Sequence, residues 1–274
     1  MLPDSTLVVI NNLVVVICHP IQHFCDSRMK RFWNPSCESS NNPSRICPTS
    51  SPGDRYLIGP SSMFAVVTPD TIHLPPGAVV RLPGSWQDYQ ALNEQLGDRS
   101  SPRIKYRDGE IILIAPPPEH GRKVSVIADV VKVLLDHLGR EYEAFTPITM
   151  ELLQKSGIEP DYCFYIENWE AIAGKDRINW GVDPSPDLVV EIAIPSYTDV
   201  NDYLPYRVPE VWLFRKNQLV IYGLQSDRYT VETSSRYFPN INVSEVVTEC
   251  LKIASERNTS TAIRELRRKL ASEN

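Results

Sequence analysis

The stretch PDLVVEIAI, residues 186–194, is an apolar run of strand length that carries two carboxylates. A second such stretch, EPDYCFYI, lies at residues 159–166 and carries Asp161 near its start. Strand interiors disfavour Asp and Glu, and a buried carboxylate is costly unless it is paired or holds a cation. If the two strands lie side by side, Asp161 and Glu191 can reach one ion, and a hard divalent metal such as Mg²⁺ suits such ligands. The two stretches therefore predict neighbouring strands that share an acidic site.

The two carboxylates of the first stretch differ in position along the strand. Asp187 precedes Glu191 by four residues, on the same face of a regular strand and about 13 Å away. Asp187 can therefore share an ion with Glu191 only if the strand is bulged. The other interpretations are a contact from the rim of the site, or an ordinary strand start after Pro186. For Glu191 the alternative to a metal is an ion pair with Arg207 or Arg215.

Composition limits the classes of function. The chain has 274 residues, is 42% hydrophobic and 23% charged, and carries a net charge of -6. This charge excludes a broadly basic nucleic-acid binder, although a local basic face remains compatible with it. The sequence contains no apolar run of 18 residues, so we predict no transmembrane helix. Four of the six cysteines lie at or before Cys47, and the remainder of the chain is typical of a cytoplasmic protein with reduced thiols.

Residues 1–62 differ from the rest of the chain. From residue 34 to residue 62 they are rich in Ser, Pro, Asn and Cys and show no periodicity, so we expect disorder. An alternative hypothesis is that Met63 is the natural initiator and that residues 1–62 are an over-extended gene prediction. We divide the remainder into a domain at residues 63–250 and a C-terminal helix at residues 251–274.

The pattern of residues 85–272 predicts a mixed α/β fold. Ser85 can cap a helix over residues 86–96, and a second apolar stripe predicts a helix over residues 120–138. The sequence RDG at residues 107–109 predicts a hairpin turn. Further strands are predicted at 104–106, 110–114, 141–145 and 149–153, in the two acidic stretches, and in a meander over 209–232. A helical tail is predicted over 243–272.

Several short motifs occur together in a distinctive order. They are YRDGE at 106–110, APP at 115–117, EHG at 119–121, PD at 160–161, PDLVVEI at 186–192, PS at 195–196 and VPEVW at 208–212. From about Trp86 to Val247 the chain resembles the bacterial Uma family of restriction-endonuclease-like proteins, within the PD-(D/E)xK nuclease superfamily. The resemblance implies a central mixed β-sheet flanked by helices. It also implies hydrolysis of DNA phosphodiester bonds that depends on Mg²⁺ or Mn²⁺.

The resemblance also implies a set of site residues. Asp161 matches the Asp of the motif, Glu191 its second acid, and Asp187 a third acid, all as metal ligands. His120 would contact metal-bound water or phosphate; its alternative is a helix cap or a packing residue. Glu110 is the acid nearest to a hairpin position where family members carry Glu. Duplex cleavage needs two sites, so a homodimer is consistent with this function.

The sequence departs from the family pattern in two places. The superfamily lysine would fall two residues after Glu191, where this chain has Ala193, and the segment that follows offers no replacement before Arg207. The expected hairpin Glu is replaced by Lys105 or Ile112, and Glu110 would point to the opposite face or require a bulge. The lost lysine favours an alternative, a catalytically inactive nuclease fold that binds nucleic acid or a protein. The retained acids favour a nuclease.

Overall fold

The computed structural model describes residues 5–10, 13–18, 74–97, 101–152, 154–194 and 197–272. Within residues 1–62 it describes only two short strands, Ser5–Ile10 and Leu13–Cys18, which pair antiparallel. The remainder of this extension, and Met63, lie outside the described residues. Both hypotheses about residues 1–62 therefore stay predictions.

The described part of the chain contains both strands and helices. The strands are β1 Ser5–Ile10, β2 Leu13–Cys18, β3 Val79–Pro83, β4 Arg103–Arg107, β5 Glu110–Ile114, β6 Glu143–Phe145, β7 Met150–Leu152, β8 Ser156–Ile158, β9 Tyr162–Tyr165, β10 Leu188–Ile192, β11 Glu210–Arg215, β12 Gln218–Gln225 and β13 Arg228–Glu232. The helices are α1 Trp86–Leu96, α2 Pro118–His137, α3 Trp169–Ile172, α4 Val243–Glu256 and α5 Thr259–Ser272, and a 3-10 helix spans Val200–Tyr206. The predicted mixed α/β class is confirmed.

Two sheets organise the fold. A six-stranded mixed sheet has the order β13-β12-β11-β10-β9-β6, in which β10 and β11 are parallel and the other neighbours antiparallel. A five-stranded antiparallel sheet has the order β3-β5-β4-β8-β7. The hairpin β4–β5 therefore belongs to a second sheet. Its pairing with β8 links residues about fifty positions apart, which local patterns do not reveal.

Helices α2, α4 and α5 cover one face of the six-stranded sheet. Helix α2 begins at Pro118, two residues before the predicted start, because proline is well suited to the first position of a helix. After α2, Gly139 adopts a φ of 61°, a conformation that favours glycine. Leu266 and Leu270 of α5 lie in the same core as the apolar stripe of α2. Among the described helices, none is long and apolar enough to cross a membrane.

Helix α1 covers the outer face of the second sheet. The Ser85 hydroxyl accepts the Asp88 N–H, and the Asp88 carboxylate accepts the Ser85 N–H, which completes a capping box. The Tyr89 ring packs across the sheet against Tyr106. Gly157 on β8 lies beneath Tyr89, and a Cβ at this position would overlap the tyrosine hydroxyl. The close approach of helix and sheet therefore requires glycine at position 157.

Candidate active site

Strands β9 and β10 bring Asp161 and Glu191 together. The antiparallel register pairs Val190 with Tyr162, so one residue further along each strand Glu191 stands opposite Asp161. The Ile192 N–H donates to Asp161 Oδ2 at 2.7 Å and fixes the carboxylate beside β10. Asp161 is fully buried and Glu191 is 7% exposed. Two acids thus share one end of the six-stranded sheet, in the interior of the protein.

Asp161 is held by two side chains from separate elements. Arg103 forms an ion pair with Oδ1, and His120 Nε2 lies 2.7 Å from the same oxygen. His120 reaches it from the first turn of α2, and Arg103 from β4. Burial alone would raise the pKa of Asp161, but the hydrogen bond to His120 and the charge of Arg103 outweigh it and hold the pKa below its usual value. Asp161 is therefore ionised within this cluster.

The pKa of Glu191 is shifted in the opposite direction from that of Asp161. Burial, followed by the negative charge of Asp161, raises its pKa well above the usual value. The Tyr203 hydroxyl donates to Glu191 Oε1. Arg207, one of the predicted ion-pair partners, instead pairs with Asp227 at 3.0 Å on the surface. The pKa values of the two acids of this site are therefore pushed apart, lowered for Asp161 and raised for Glu191.

The donor set fits a hydrated divalent cation with two protein ligands. Mg²⁺ in proteins usually keeps several waters and takes one or two carboxylates, which Asp161 and Glu191 can supply. Across the described ranges, no three His, Cys, Asp or Glu side chains converge as a metal site. The guanidinium of Arg103 occupies Asp161 Oδ1, so a metal ligated by that oxygen would have to displace it.

Three cations that the sequence analysis did not assign to the site come from β4. Side chains alternate along a strand, so Arg103, Lys105 and Arg107 share the face of β4 that is turned toward the acids. Lys105 is 3% exposed, donates to the Tyr197 carbonyl at 2.7 Å and forms an ion pair with Asp202. The only sequence signal is the alternation RIKYR at residues 103–107. It shows a shared face but not what that face contacts.

Lys105 and Glu191 line the same small cavity. This cavity has a volume of about 10 Å³ and is also lined by Tyr197 and by Tyr203 of the 3-10 helix. The 3-10 helix is held in place by Asp202, which accepts from Lys105 and from Arg107 Nη1, the latter at 2.9 Å. Ala193 indeed leaves β10 without a lysine at the motif position, while an ammonium group enters the acid cavity from the neighbouring sheet.

Asp187 lies at the other end of β10, away from the acid pair. Its Oδ2 accepts the N–H groups of Ile166, Glu167 and Asn168 at 2.7–3.0 Å, and Oδ1 accepts the Asn168 side-chain amide at 2.8 Å. The pairing of Leu188 with Phe164 continues without a bulge. The structure therefore does not bring Asp187 into one cluster with Asp161 and Glu191. Instead, Asp187 organises the turn that follows β9.

Glu110 also lies away from the acid pair. It pairs with Arg107 at the hairpin end of β4 and β5, and it forms a 2.7 Å ion pair with Arg81 with 45% of its side chain exposed. The register from Arg103 to Arg107 is continuous, with Lys105 opposite Ile112. Glu110 therefore shares the face of Ile112, and the expectation of an opposite face or a bulge is wrong.

A further buried acid, Glu210, was not singled out from the sequence. Glu210 Oε1 accepts from Trp212 Nε1 and the Ser235 hydroxyl, both at 2.6 Å, and Oε2 accepts the Arg236 N–H at 2.8 Å. Its own N–H donates to the Asp187 carbonyl. The six-stranded sheet thus carries buried acids at both ends: Asp187 and Glu210 bind turns at one end, and Asp161 and Glu191 face cations at the other.

A comparison with known protein families agrees with the motif analysis. A family model described as "Putative restriction endonuclease" matches residues 86–253. No curated protein matches the chain. The matching solved structures include one from Anabaena variabilis ATCC 29413, described as "a putative nuclease belonging to DUF820". It has 19% identity and a TM-score of 0.39, and the match covers 53% of this chain and 89% of that one. Because the family model spans more than half of the sequence, the chain belongs to the Uma2 family of restriction-endonuclease-like proteins.

Proposed function

We propose that this protein is a divalent-metal-dependent endonuclease that hydrolyses DNA phosphodiester bonds at the Asp161–Glu191 pair. The observation that carries the proposal is the meeting of these two buried carboxylates with Arg103, Lys105 and His120 at one end of the sheet. A cluster of acids and cations with divergent pKa values is typical of catalytic sites. Membership in a restriction-endonuclease-like family indicates a phosphodiester as the substrate class.

Asp161 and Glu191 are the proposed ligands of Mg²⁺ or Mn²⁺. When bound, such an ion lowers the pKa of a water and neutralises charge on the phosphate oxygens. Glu191 must lose its proton to act as a ligand, and a nearby divalent charge favours that loss. The buried ammonium of Lys105 acts in the same direction, because it lowers the pKa of Glu191. Lys105 thereby supports the ionised form of this acid from a fixed position beside Asp202.

Arg103 is the proposed contact to the substrate phosphate. Its side chain is 16% exposed, whereas that of His120 is 4% exposed, so an incoming phosphate meets the guanidinium first. Guanidinium groups bind phosphate oxygens with two parallel hydrogen bonds. Transfer of Arg103 from Asp161 to phosphate would leave one lone pair of Oδ1 for the metal, while His120 would keep its contact to the same oxygen. His120 would stay on Asp161 and orient the carboxylate.

A second candidate function is an inactive nuclease fold that binds nucleic acid or a protein. Two observations favour it: the acid cavity is only about 10 Å³ in volume, and both oxygens of Asp161 already have partners. The retained pairing of two costly buried acids favours the enzyme instead, because an apolar pair would be more stable in that position.

Nicking of supercoiled plasmid by the full chain, with Mg²⁺ or Mn²⁺ and with an EDTA control, tests the proposal. The informative variants are Asp161→Asn and Glu191→Gln, and the matched control is Glu110→Gln, an acid on the surface. We expect metal-dependent nicking that the two site variants lose by at least about a hundredfold and the control retains. Equal nicking by all variants would indicate a contaminant. Absence of nicking by the folded wild-type protein would favour the inactive fold.

Cleavage of both strands of a duplex would require association of two copies, since one site cuts one strand. Sedimentation of the protein with and without a DNA duplex measures this directly. If the protein is a monomer on DNA and produces only nicks, it cuts one strand of the duplex at a time.

A further inference from the structure

A cavity separate from the acid pair lies between α2, β11 and α4. Its volume is about 470 Å³, within the range of about 300–1,000 Å³ that is usual for small-ligand sites. Its apolar floor includes Phe214 and Leu251, and its rim carries Arg122, Lys123 and Lys252. An apolar floor with a cationic rim suits a ligand that has both a flat apolar part and a negative charge.

The cavity and the acid pair lie at the same end of the six-stranded sheet. Phe214 of the floor is the register partner of Ile192, whose N–H binds Asp161. Helix α2 contributes to both, because His120 contacts Asp161 and Lys123 lies one turn further on the rim. A polymer that occupies both places would pass around this end of the sheet.

The local charge is opposite to that of the whole protein. The chain carries a net charge of -6, yet three cations and one carboxylate, Glu119, line this cavity. Glu119 is engaged by Lys123 at 2.7 Å, and the Lys123 ammonium also lies 5.8 Å from the centre of the Phe214 ring. Arg122 and Lys252 are exposed on the two helices that flank the cavity. A positive site on an acidic protein attracts an anion selectively.

We infer that this cavity binds one nucleotide of the DNA strand that enters the acid pair, with its phosphate on Arg122 and Lys252 and its base on the apolar floor. The inference rests on the proposed function, and it adds a second point of contact that lies outside the reacting bond. An acidic peptide would pair with the cations of the rim, but it would leave the apolar floor without an apolar partner. A strand of DNA satisfies both, because every base presents an apolar face.

Binding of DNA in EDTA separates this inference from catalysis. The probe is a short fluorescein-labelled oligodeoxynucleotide, and its anisotropy is measured with the full-length protein between about 50 and 200 mM salt. The variants are Arg122→Ala and Lys252→Ala. The matched control is Arg228→Ala, an exposed arginine on the β12–β13 hairpin at the opposite end of the sheet. Leu251→Ala tests the floor, with inorganic tripolyphosphate as a competitor that lacks a base.

We expect each cavity variant to weaken DNA binding by about threefold to tenfold and to reduce the salt slope by about one, while the control changes neither. Leu251→Ala should weaken binding of the oligonucleotide but not of tripolyphosphate. Thermal melting confirms that each variant is folded. DNA affinity that is equal in the cavity variants and the Arg228→Ala control would overturn the inference.

The outcomes also separate the two proposals. Plasmid nicking by the wild-type protein, together with cavity variants that bind DNA normally, would retain the nuclease and remove the nucleotide site. Cavity-dependent DNA binding without any nicking would retain the nucleotide site and remove the catalytic proposal. A wild-type protein that neither binds nor nicks DNA would overturn both.

Discussion

Replacing Asp187 with Ala is expected to destabilise the fold and to leave the acid pair in place. The Asp187 carboxylate is 1% exposed and accepts three backbone N–H groups, from Ile166 to Asn168, and one side-chain amide. Removing this acceptor leaves those donors without a partner in a turn that is partly shielded from water. The turn lies at the opposite end of β10 from Glu191.

The size of the loss in stability follows from the number of donors that are left without an acceptor. A buried donor without a partner costs about 1–3 kcal/mol, but the turn can shift and admit water, so the four losses do not simply add. We expect the free energy of unfolding to fall by about 3–5 kcal/mol, which is the upper range for single substitutions. For a chain of this size that corresponds to a decrease in Tm of about 6–20 °C.

Thermal and urea denaturation followed by circular dichroism measure this loss, and calorimetry with Mn²⁺ at a temperature where the variant is folded measures metal binding. The matched control is Asp136→Ala, which changes an exposed acid on α2. The Tm of Asp187→Asn should lie between those of Asp187→Ala and the control, because Asn keeps one oxygen acceptor. An Asp187→Ala protein with the Tm of the control but without Mn²⁺ binding would refute the reasoning and restore Asp187 as a metal ligand.

Two predictions concern the acid pair itself. Glu191→Gln should raise the Tm in metal-free buffer above about pH 4.3, the ordinary pKa of glutamate, and the gain should grow with pH. The folded wild-type protein keeps a proton on Glu191 that the unfolded chain releases. The stability of the wild-type protein therefore falls as the pH rises toward the pKa of Glu191 in the folded state. A Tm difference between variant and wild type that is independent of pH would contradict the raised pKa. Arg103→Met removes the cation that occupies Asp161 Oδ1, so Mn²⁺ affinity measured by calorimetry should rise at least about tenfold, equivalent to about 1.4 kcal/mol. Unchanged or weaker Mn²⁺ binding would show that Arg103 does not compete with the metal.

Local patterns identified much of the scaffold. The apolar stripe of α2 and the turn at residues 107–109 are visible in the sequence because helix period and turn chemistry depend on near neighbours. The two acidic stretches could be predicted as adjacent strands because carboxylates in an apolar run need a shared partner. Strand β8, only three residues long, gave no such signal, and with it the second sheet was missed.

The partners of the acids lie far away in the sequence. Arg103 reaches Asp161 across 58 residues and Lys105 reaches Asp202 across 97, and both contacts depend on how the second sheet faces the first. Asp187 illustrates the converse. On a regular strand its spacing from Glu191 is too long for a shared ion, but only the packed turn revealed the four donors that occupy it.

The sequence by itself determined the fold class, the family and the presence of two acids on neighbouring strands, because each of these depends on residue type and spacing within short segments. The tertiary structure alone decided which acids face cations and which bind turns, and that Lys105 lines the same cavity as Glu191. The physical reason is that the charge and solvation of a buried carboxylate depend on groups brought within a few ångströms by long-range strand pairing, and no local pattern encodes that distance.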